Sequence, residues 1–164
     1  MPYQQLKRAL VVVAVAAAAG CKRKESGPNG VGPWQFGKSK LADAEAAGRC
    51  LPGDPPIQCI GLSAVQIGKQ VAATELYFAS GESSAPLLEI SLTVRTCDVA
   101  EAGSALEGVI GPVTEQSKDG RLKFWAMKEM FVVAQLPAKG TRECLVNFVE
   151  PKDTARIEEL KKGE

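Results

Sequence analysis

The stretch LEISLTVR, residues 88–95, decides the class of the fold. Its apolar residues alternate with polar ones, so that Leu88, Ile90, Leu92 and Val94 are separated by Glu89, Ser91, Thr93 and Arg95. An alternation of period two predicts a β-strand, because successive side chains of a strand point to opposite faces of the sheet. We therefore expect a strand with one face in the core and one in water, which is typical of an antiparallel sheet.

Helical and strand-like patterns lie on both sides of this strand. Before it, LADAEAAG predicts a helix capped by Ser39, and QCIGLSAV and VAATELYFA predict two strands around a turn at Gly68. After it, DVAEAGSALEGVIGP predicts a helix that begins at the cap Asp98 and ends at Gly111. The segments RLKFWAM, MFVVAQL and CLVNFVEP predict three further strands.

The order of a helix followed by three strands occurs twice, which predicts a tandem duplication. We predict an α+β fold of two helix-plus-three-antiparallel-strand units, about 34–97 and 98–150, followed by a short C-terminal helix over 153–162. A unit of roughly 55 residues is too small to bury a large core, so the two units are expected to share one sheet or to pack together. The whole domain would span residues 34–164.

The composition limits the classes of function. The chain has 164 residues, of which 45% are hydrophobic, and this fits one globular domain or two very small ones. Loss of residues 1–20 would remove Lys7 and Arg8 and leave 18 basic against 19 acidic residues, so no nucleic-acid partner is predicted. The sequence contains no histidine, which removes the commonest general base and the commonest zinc ligand. We accordingly predict no cofactor and no metal site.

The first twenty residues have the organisation of a signal peptide. Lys7 and Arg8 form a positive start, and residues 9–19 are an unbroken apolar run made mostly of alanine and valine. This run is about half as long as a membrane-spanning helix. It therefore predicts a cleaved signal peptide over residues 1–20.

The residues Ala18-Ala19-Gly20-Cys21 resemble the lipobox of bacterial lipoproteins. The resemblance implies that the Cys21 sulfur receives a diacylglycerol, that the Gly20–Cys21 bond is cut, and that Cys21 becomes a first residue carrying fatty acyl chains such as palmitate. Membrane lipid is then a partner of the chain through Cys21. Lys22 stands where aspartate commonly retains such lipoproteins in the inner membrane, which favours the outer membrane, facing the periplasm. An ordinary secreted protein cut nearby is the alternative.

Residues 21–33 predict a lipidated N-terminus followed by a flexible linker. The charged residues Lys22, Arg23 and Lys24 precede SGPNGVGP, which is rich in glycine and proline and has no periodic pattern. Basic residues beside a membrane gain about 1 kcal/mol each from anionic headgroups. The linker has an r.m.s. reach of roughly 20 Å, which is enough to hold a small domain just off the membrane.

Four cysteines remain if Cys21 is acylated, and an even number in an exported protein predicts two disulfide bonds. Three pairings of Cys50, Cys59, Cys97 and Cys144 are possible. We favour Cys50–Cys59, because LPGDPPIQ between them is a turn-rich loop that can bring its ends together, and Cys97–Cys144 follows by elimination. Metal binding is the alternative, but the sequence has neither a CxxC pair nor a histidine to support it.

The segments FGKSKLADAEAAGRC…C and LEGVIGP…KFWAM resemble the helix-then-meander modules of two families. These are the small outer-membrane assembly lipoproteins of the SmpA type and the tandem-repeat β-lactamase inhibitory proteins. The resemblance covers most of residues 34–150 and implies two such modules with a role in binding. In the inhibitory proteins a short disulfide loop follows the helix, much as the loop from Cys50 to Cys59 would.

No arrangement of residues predicts catalysis, and we predict that the protein is not an enzyme. The expected function is that of a lipid-anchored extracytoplasmic envelope protein that binds a ligand or another protein, with an envelope or secreted protein as the expected partner. Trp34 and Trp125 are the candidate binding-surface residues, because Trp commonly anchors interfaces, and burial in the core is the alternative for both. A hydrolase of envelope material and a structural envelope spacer are the alternative functions.

Overall fold

The computed structural model describes residues 28–137 and 140–163. This part of the chain forms a nine-stranded antiparallel sheet, a separate two-stranded hairpin and three helices. The helices are α1 (Leu41–Ala47), α2 (Val99–Ile110) and α3 (Thr154–Lys162). The strands are β1 (Gly30–Val31), β2 (Trp34–Gln35), β3 (Arg49–Cys50), β4 (Ile57–Ile60), β5 (Val65–Ile67), β6 (Gln70–Phe78), β7 (Leu87–Val94), β8 (Glu115–Gln116), β9 (Leu122–Ala126), β10 (Phe131–Gln135) and β11 (Cys144–Val149). The predicted signal peptide, its cleavage site at Gly20 and Cys21, and the first part of the predicted linker lie outside the described residues.

The observed sheet overturns the predicted pair of helix-plus-three-strand units. Its strands lie in the order β3-β4-β6-β7-β11-β10-β9-β8, and β5 pairs with β6. β7 pairs with β6 on one edge and with β11 on the other, so one sheet runs across the predicted boundary at residues 97–98. This pairing gives the inner edges of β7 and β11 their hydrogen-bond partners, and a shared sheet is one of the two arrangements expected for such small units. Residues 34–97 contribute five strands to this sheet and residues 98–150 contribute four. Because a duplication would give three strands in each unit, the predicted tandem duplication is wrong.

One face of the sheet, the front face, carries the main hydrophobic core. Ile90, Leu92 and Val94 of β7 are buried on this face, as the alternation in the sequence predicts. Helices α1 and α2 cover the front face, and each presents a short apolar stripe to it. The buried residues of the two helices are Leu41, Ala44, Ala102 and Leu106.

The alternation fails at the start of β7. Phe78 lies opposite Leu87 whereas Tyr77 lies opposite Glu89, so Leu88 is an extra residue at a β-bulge. Leu87 is buried in the front core where Leu88 was expected, and Leu88 is half-buried. Glu89 was expected in water, but it is only 5% exposed on the opposite face of the sheet, the back face.

Helix α3 covers part of the back face. Its residues Ile157 and Leu160 pack against a second apolar cluster, which consists of Phe124, Phe131, Val133 and Val149 with Leu122 at its edge. The helix begins after Asp153, whose carboxylate accepts a hydrogen bond from the backbone N–H of Arg156 (3.2 Å). The molecule therefore has three layers, with α1 and α2 in front of the sheet and α3 behind it.

The two front helices differ in how well the sequence predicts their starts. The Asp98 carboxylate accepts a hydrogen bond from the Glu101 backbone N–H (3.0 Å), so Asp98 is the N-cap of α2, as predicted. The predicted N-cap of α1 is wrong, because the Ser39 hydroxyl accepts a hydrogen bond from the backbone N–H of Gln35 (2.9 Å). Ser39 thus fastens α1 to the preceding hairpin, and the helix begins two residues later at Leu41.

Two disulfide bonds are confirmed, and they join Cys50 to Cys59 and Cys97 to Cys144. The first connects directly opposite residues of β3 and β4. The second connects the segment after β7 to the first residue of β11, which is the neighbour of β7 in the sheet. This bond spans 47 residues. It therefore holds both ends of the segment that contains α2 and β8–β10 beside the centre of the sheet.

Candidate functional site

An apolar cleft opens between α2 and the front face of the sheet. Leu92 of β7 and Phe148 of β11 line it from the sheet. Helix α2 contributes Ala105, Leu106, Val109 and Ile110, and the remaining wall consists of β5, the β5–β6 turn and β1 with the glycine that follows it. We call this site the α2 cleft. Its walls come from five separate segments of the chain, which are β1, β5 with the turn after it, β7, α2 and β11.

Polar contacts hold the β5–β6 turn against α2. The backbone N–H of Lys69 donates to the Glu101 carboxylate (2.6 Å), and the backbone N–H of Asp98 donates to the side-chain oxygen of Gln70 (2.6 Å). Gly68 occupies the first position of this two-residue turn with φ +63°, a conformation that side chains rarely adopt. A Cβ atom at Gly68 would lie 3.0 Å from a carboxylate oxygen of Glu101. Glycine therefore allows the close approach that fixes one wall of the α2 cleft.

The lining of the α2 cleft suits an apolar ligand. Its volume is about 550 Å³, within the roughly 300–1,000 Å³ that small-molecule sites typically have. Among the described residues that line it none carries a charge, and Gln66 is the only one with a polar side chain. Val109 of α2 is 72% exposed at the rim of the cleft, although burial of an aliphatic side chain is favourable.

A second concavity, the polar groove, lies on the back face beside α3 and has a volume of about 460 Å³. Arg156 of α3 donates to Glu89 of β7 through Nε (2.8 Å) and through Nη2 (3.3 Å), and its Nη1 donates to Glu159 (3.2 Å). The hydrogen bonds to Glu89 raise the pKa of Arg156 above its ordinary value. The bidentate pair therefore joins α3 to the centre of the sheet.

Tyr77, which also lines the polar groove, belongs to a second hydrogen-bonded group on the back face. Its hydroxyl donates to the Glu75 carboxylate (3.0 Å), and the side-chain amide of Gln58 donates to the same carboxylate oxygen (2.8 Å). Burial, followed by the hydrogen bond to Glu75, raises the pKa of Tyr77 to about 12. The phenol consequently remains a protonated donor into the alkaline range, where an ordinary tyrosine would ionise.

The α2 cleft and the polar groove differ in whether the groups that line them already have partners within the protein. In the polar groove Arg156 is paired with both Glu89 and Glu159, so a charged ligand would compete with existing ion pairs. In the α2 cleft the lining offers apolar surface that the described residues leave open to solvent. The α2 cleft is therefore the better candidate for a ligand site.

Both tryptophans singled out in the sequence are in the core. Trp34 is 6% exposed and Trp125 is 1% exposed. The Trp125 indole Nε1–H donates to the backbone carbonyl of Gly111 (2.9 Å) at the end of α2, so its one polar atom is satisfied inside the protein. Neither ring offers an exposed binding surface, because each is covered by the front layer that it helps to fill.

The α2 cleft is not apparent from the sequence. The stripe Val99, Ala102, Leu106 and Ile110 predicts a single buried face for α2, and the structure buries Ala102 and Leu106 on it. The available signal was Val109, an apolar residue beside that stripe. The other walls come from β1 and β5, which lie far from α2 along the chain, so no local pattern could have placed them there.

No helix within residues 28–137 and 140–163 is long and apolar enough to span a membrane. The same two segments contain no group of three or more His, Cys, Asp or Glu side chains that could hold a metal ion.

Comparison with protein-family models, with curated proteins and with solved structures finds no match for this chain. The lipobox resemblance at Cys21 and the module resemblance across residues 34–150 therefore stay predictions.

Proposed function

We propose that this chain is an exported protein, anchored through acyl chains on Cys21, whose folded domain binds an apolar ligand in the α2 cleft. The anchor lies in an outer membrane and the domain faces the periplasm. The observation that carries the binding proposal is the uncharged, largely aliphatic lining of a cleft of about 550 Å³. Binding of a ligand that covers this lining is favoured by a free energy of about 25 cal/mol for each Å² of apolar surface removed from water.

The cysteines support an extracytoplasmic location. Disulfide bonds form and persist in oxidising compartments outside the cytoplasm. The sequence has five cysteines, and the two bonds use four of them. These four are Cys50, Cys59, Cys97 and Cys144, so neither bond uses the cysteine for which lipidation is predicted.

The intact mass of the protein extracted from membranes tests the anchor. We expect an N-terminus at Cys21, a mass excess that corresponds to acyl chains, and a gain of four hydrogens on reduction. A mass that retains residues 1–20 would contradict export and anchoring together. A mature chain without the excess would contradict the anchor alone.

Titration with a fluorescent long-chain fatty acid tests the α2 cleft. The mature chain, residues 21–164, is prepared without acylation, and the substitution Val109→Glu places a charge at the rim of the cleft. We expect affinity to fall about tenfold, because one aliphatic contact is replaced by a charge, a change of about 1.4 kcal/mol. Ala105→Phe, which narrows the cleft from α2, should weaken binding as well.

Ser104→Glu is the matched control, since it adds the same charge to an exposed position of α2 that does not line the cleft. Circular dichroism and reversible unfolding confirm that each variant is folded. Failure of the unsubstituted chain to bind the probe would refute the proposed function and favour the structural spacer. Equal effects of Val109→Glu and Ser104→Glu would place the bound probe elsewhere.

A further inference from the structure

We propose that an acyl chain of the protein's own Cys21 occupies the α2 cleft when the protein is outside a membrane. This inference rests on the proposed function, because it requires both an acylated Cys21 and an apolar cleft. It adds a form of regulation to that function. The same acyl chain is either sheltered by the domain or inserted in a bilayer, so ligand binding and anchoring are coupled.

The length of chain between Cys21 and the α2 cleft permits this occupancy. Gly30 and Val31 line the cleft, and nine positions separate Cys21 from Gly30. A chain of nine residues spans at most about 30 Å. A ligand held on so short a link has an effective concentration in the millimolar range. The acyl group therefore competes strongly with any ligand that arrives from solution.

The N-terminal hairpin fixes where this link begins. Val31 pairs with Trp34, which is buried in the front core, and the backbone N–H of Phe36 donates to the carbonyl of Asn29 (2.9 Å). These contacts hold residues 29–31 beside the cleft. The link to Cys21 is consequently joined to residues that form the wall of the cleft.

The chemistry of the lining favours an acyl chain over a protein segment as the occupant. An aliphatic chain has no polar group along its length that needs a partner. A peptide segment would bring backbone N–H and C=O groups, which are costly to bury without hydrogen bonds. The side chains that line the α2 cleft offer only Gln66 as a polar partner, and Val65, Leu106 and Ile110 offer aliphatic surface.

Amide hydrogen exchange across residues 105–110 of α2 tests the proposal. The mature protein is compared in acylated and unacylated form, first in buffer without detergent and then in the presence of phospholipid vesicles. We expect the acylated form in buffer to exchange more slowly at residues 105–110, because the acyl chain packs against them. On vesicles the difference should disappear, since the chain has moved into the bilayer. Val109→Glu should abolish the difference and Ser104→Glu should preserve it.

A probe titration distinguishes failure of this inference from failure of the proposed function. If the acyl chain fills the cleft, the acylated protein in buffer binds the fluorescent fatty acid at least about tenfold more weakly than the unacylated protein. Equal affinities and equal exchange rates would overturn the inference and leave the proposed function standing, with the cleft open to ligands from solution. Absence of probe binding by the unacylated protein would overturn the proposed function.

Discussion

Removal of Arg156 alone should cost more stability than removal of Arg156 together with Glu89. Glu89 is 5% exposed, and the Arg156 guanidinium reaches its two carboxylate oxygens at 2.8 Å and 3.3 Å. Arg156→Met leaves this carboxylate behind α3 without the guanidinium. Breaking a buried ion pair costs about 3–5 kcal/mol, but the Arg156 side chain is 34% exposed, so water can reach the vacated position and we expect a loss of about 2 kcal/mol.

The double variant Glu89→Leu with Arg156→Met leaves no unpaired buried carboxylate behind α3, and Glu159, which also loses Arg156, has an exposed side chain. Its stability should lie within about 1 kcal/mol of the unsubstituted protein, because replacement of a whole buried pair by apolar residues is often close to neutral. Urea unfolding of the oxidised protein measures both changes, with equal m-values required for the comparison. Glu159→Gln removes only the exposed second partner of Arg156 and should cost less than about 0.5 kcal/mol. A single Arg156 variant as stable as the double variant would refute the reasoning, since it would mean that Glu89 needs no partner.

Two further predictions concern the central strands. Replacement of Cys97 and Cys144 by serine should lower the free energy of unfolding by about 4 kcal/mol, and replacement of Cys50 and Cys59 by about 2.7 kcal/mol. The first loss is larger because closure of the longer loop costs the unfolded chain more entropy. Urea unfolding measures both losses, and equal losses would contradict this reasoning. The Tyr77 pKa, raised to about 12, predicts a contribution to stability that is intact below the unfolded value near pH 10 and is lost as pH rises through 12. Tyr77→Phe should lack this decline, and an identical alkaline slope in both proteins would contradict the assignment.

The local elements were largely predictable, because their causes lie within a few residues of one another. The alternation at Ile90, Leu92 and Val94 depends on the two-residue period of a strand, and the start of α2 depends on a cap that lies three residues from its partner. The pairing of Cys50 with Cys59 follows from a short turn-rich loop. The predicted burial of Leu88 and the predicted capping of α1 by Ser39 are wrong for a different reason. The first results from a bulge opposite β6, and the second from a hydrogen bond to the preceding hairpin.

The sequence alone therefore determined the presence of strands, the helix starts with local caps, and the short disulfide loop, because these depend on period and on neighbours in the chain. Only the tertiary structure decided that β7 and β11 meet at the centre of one sheet, that Glu89 is buried beneath α3, and that β1, β5 and α2 enclose an apolar cleft. Each of these depends on segments distant in sequence satisfying one another's backbone edges and apolar faces. A repeated order of helices and strands carries no information about which edges will pair or how many strands each half contributes. This is why the order suggested two equal units where the described residues contribute five strands and four to the large sheet.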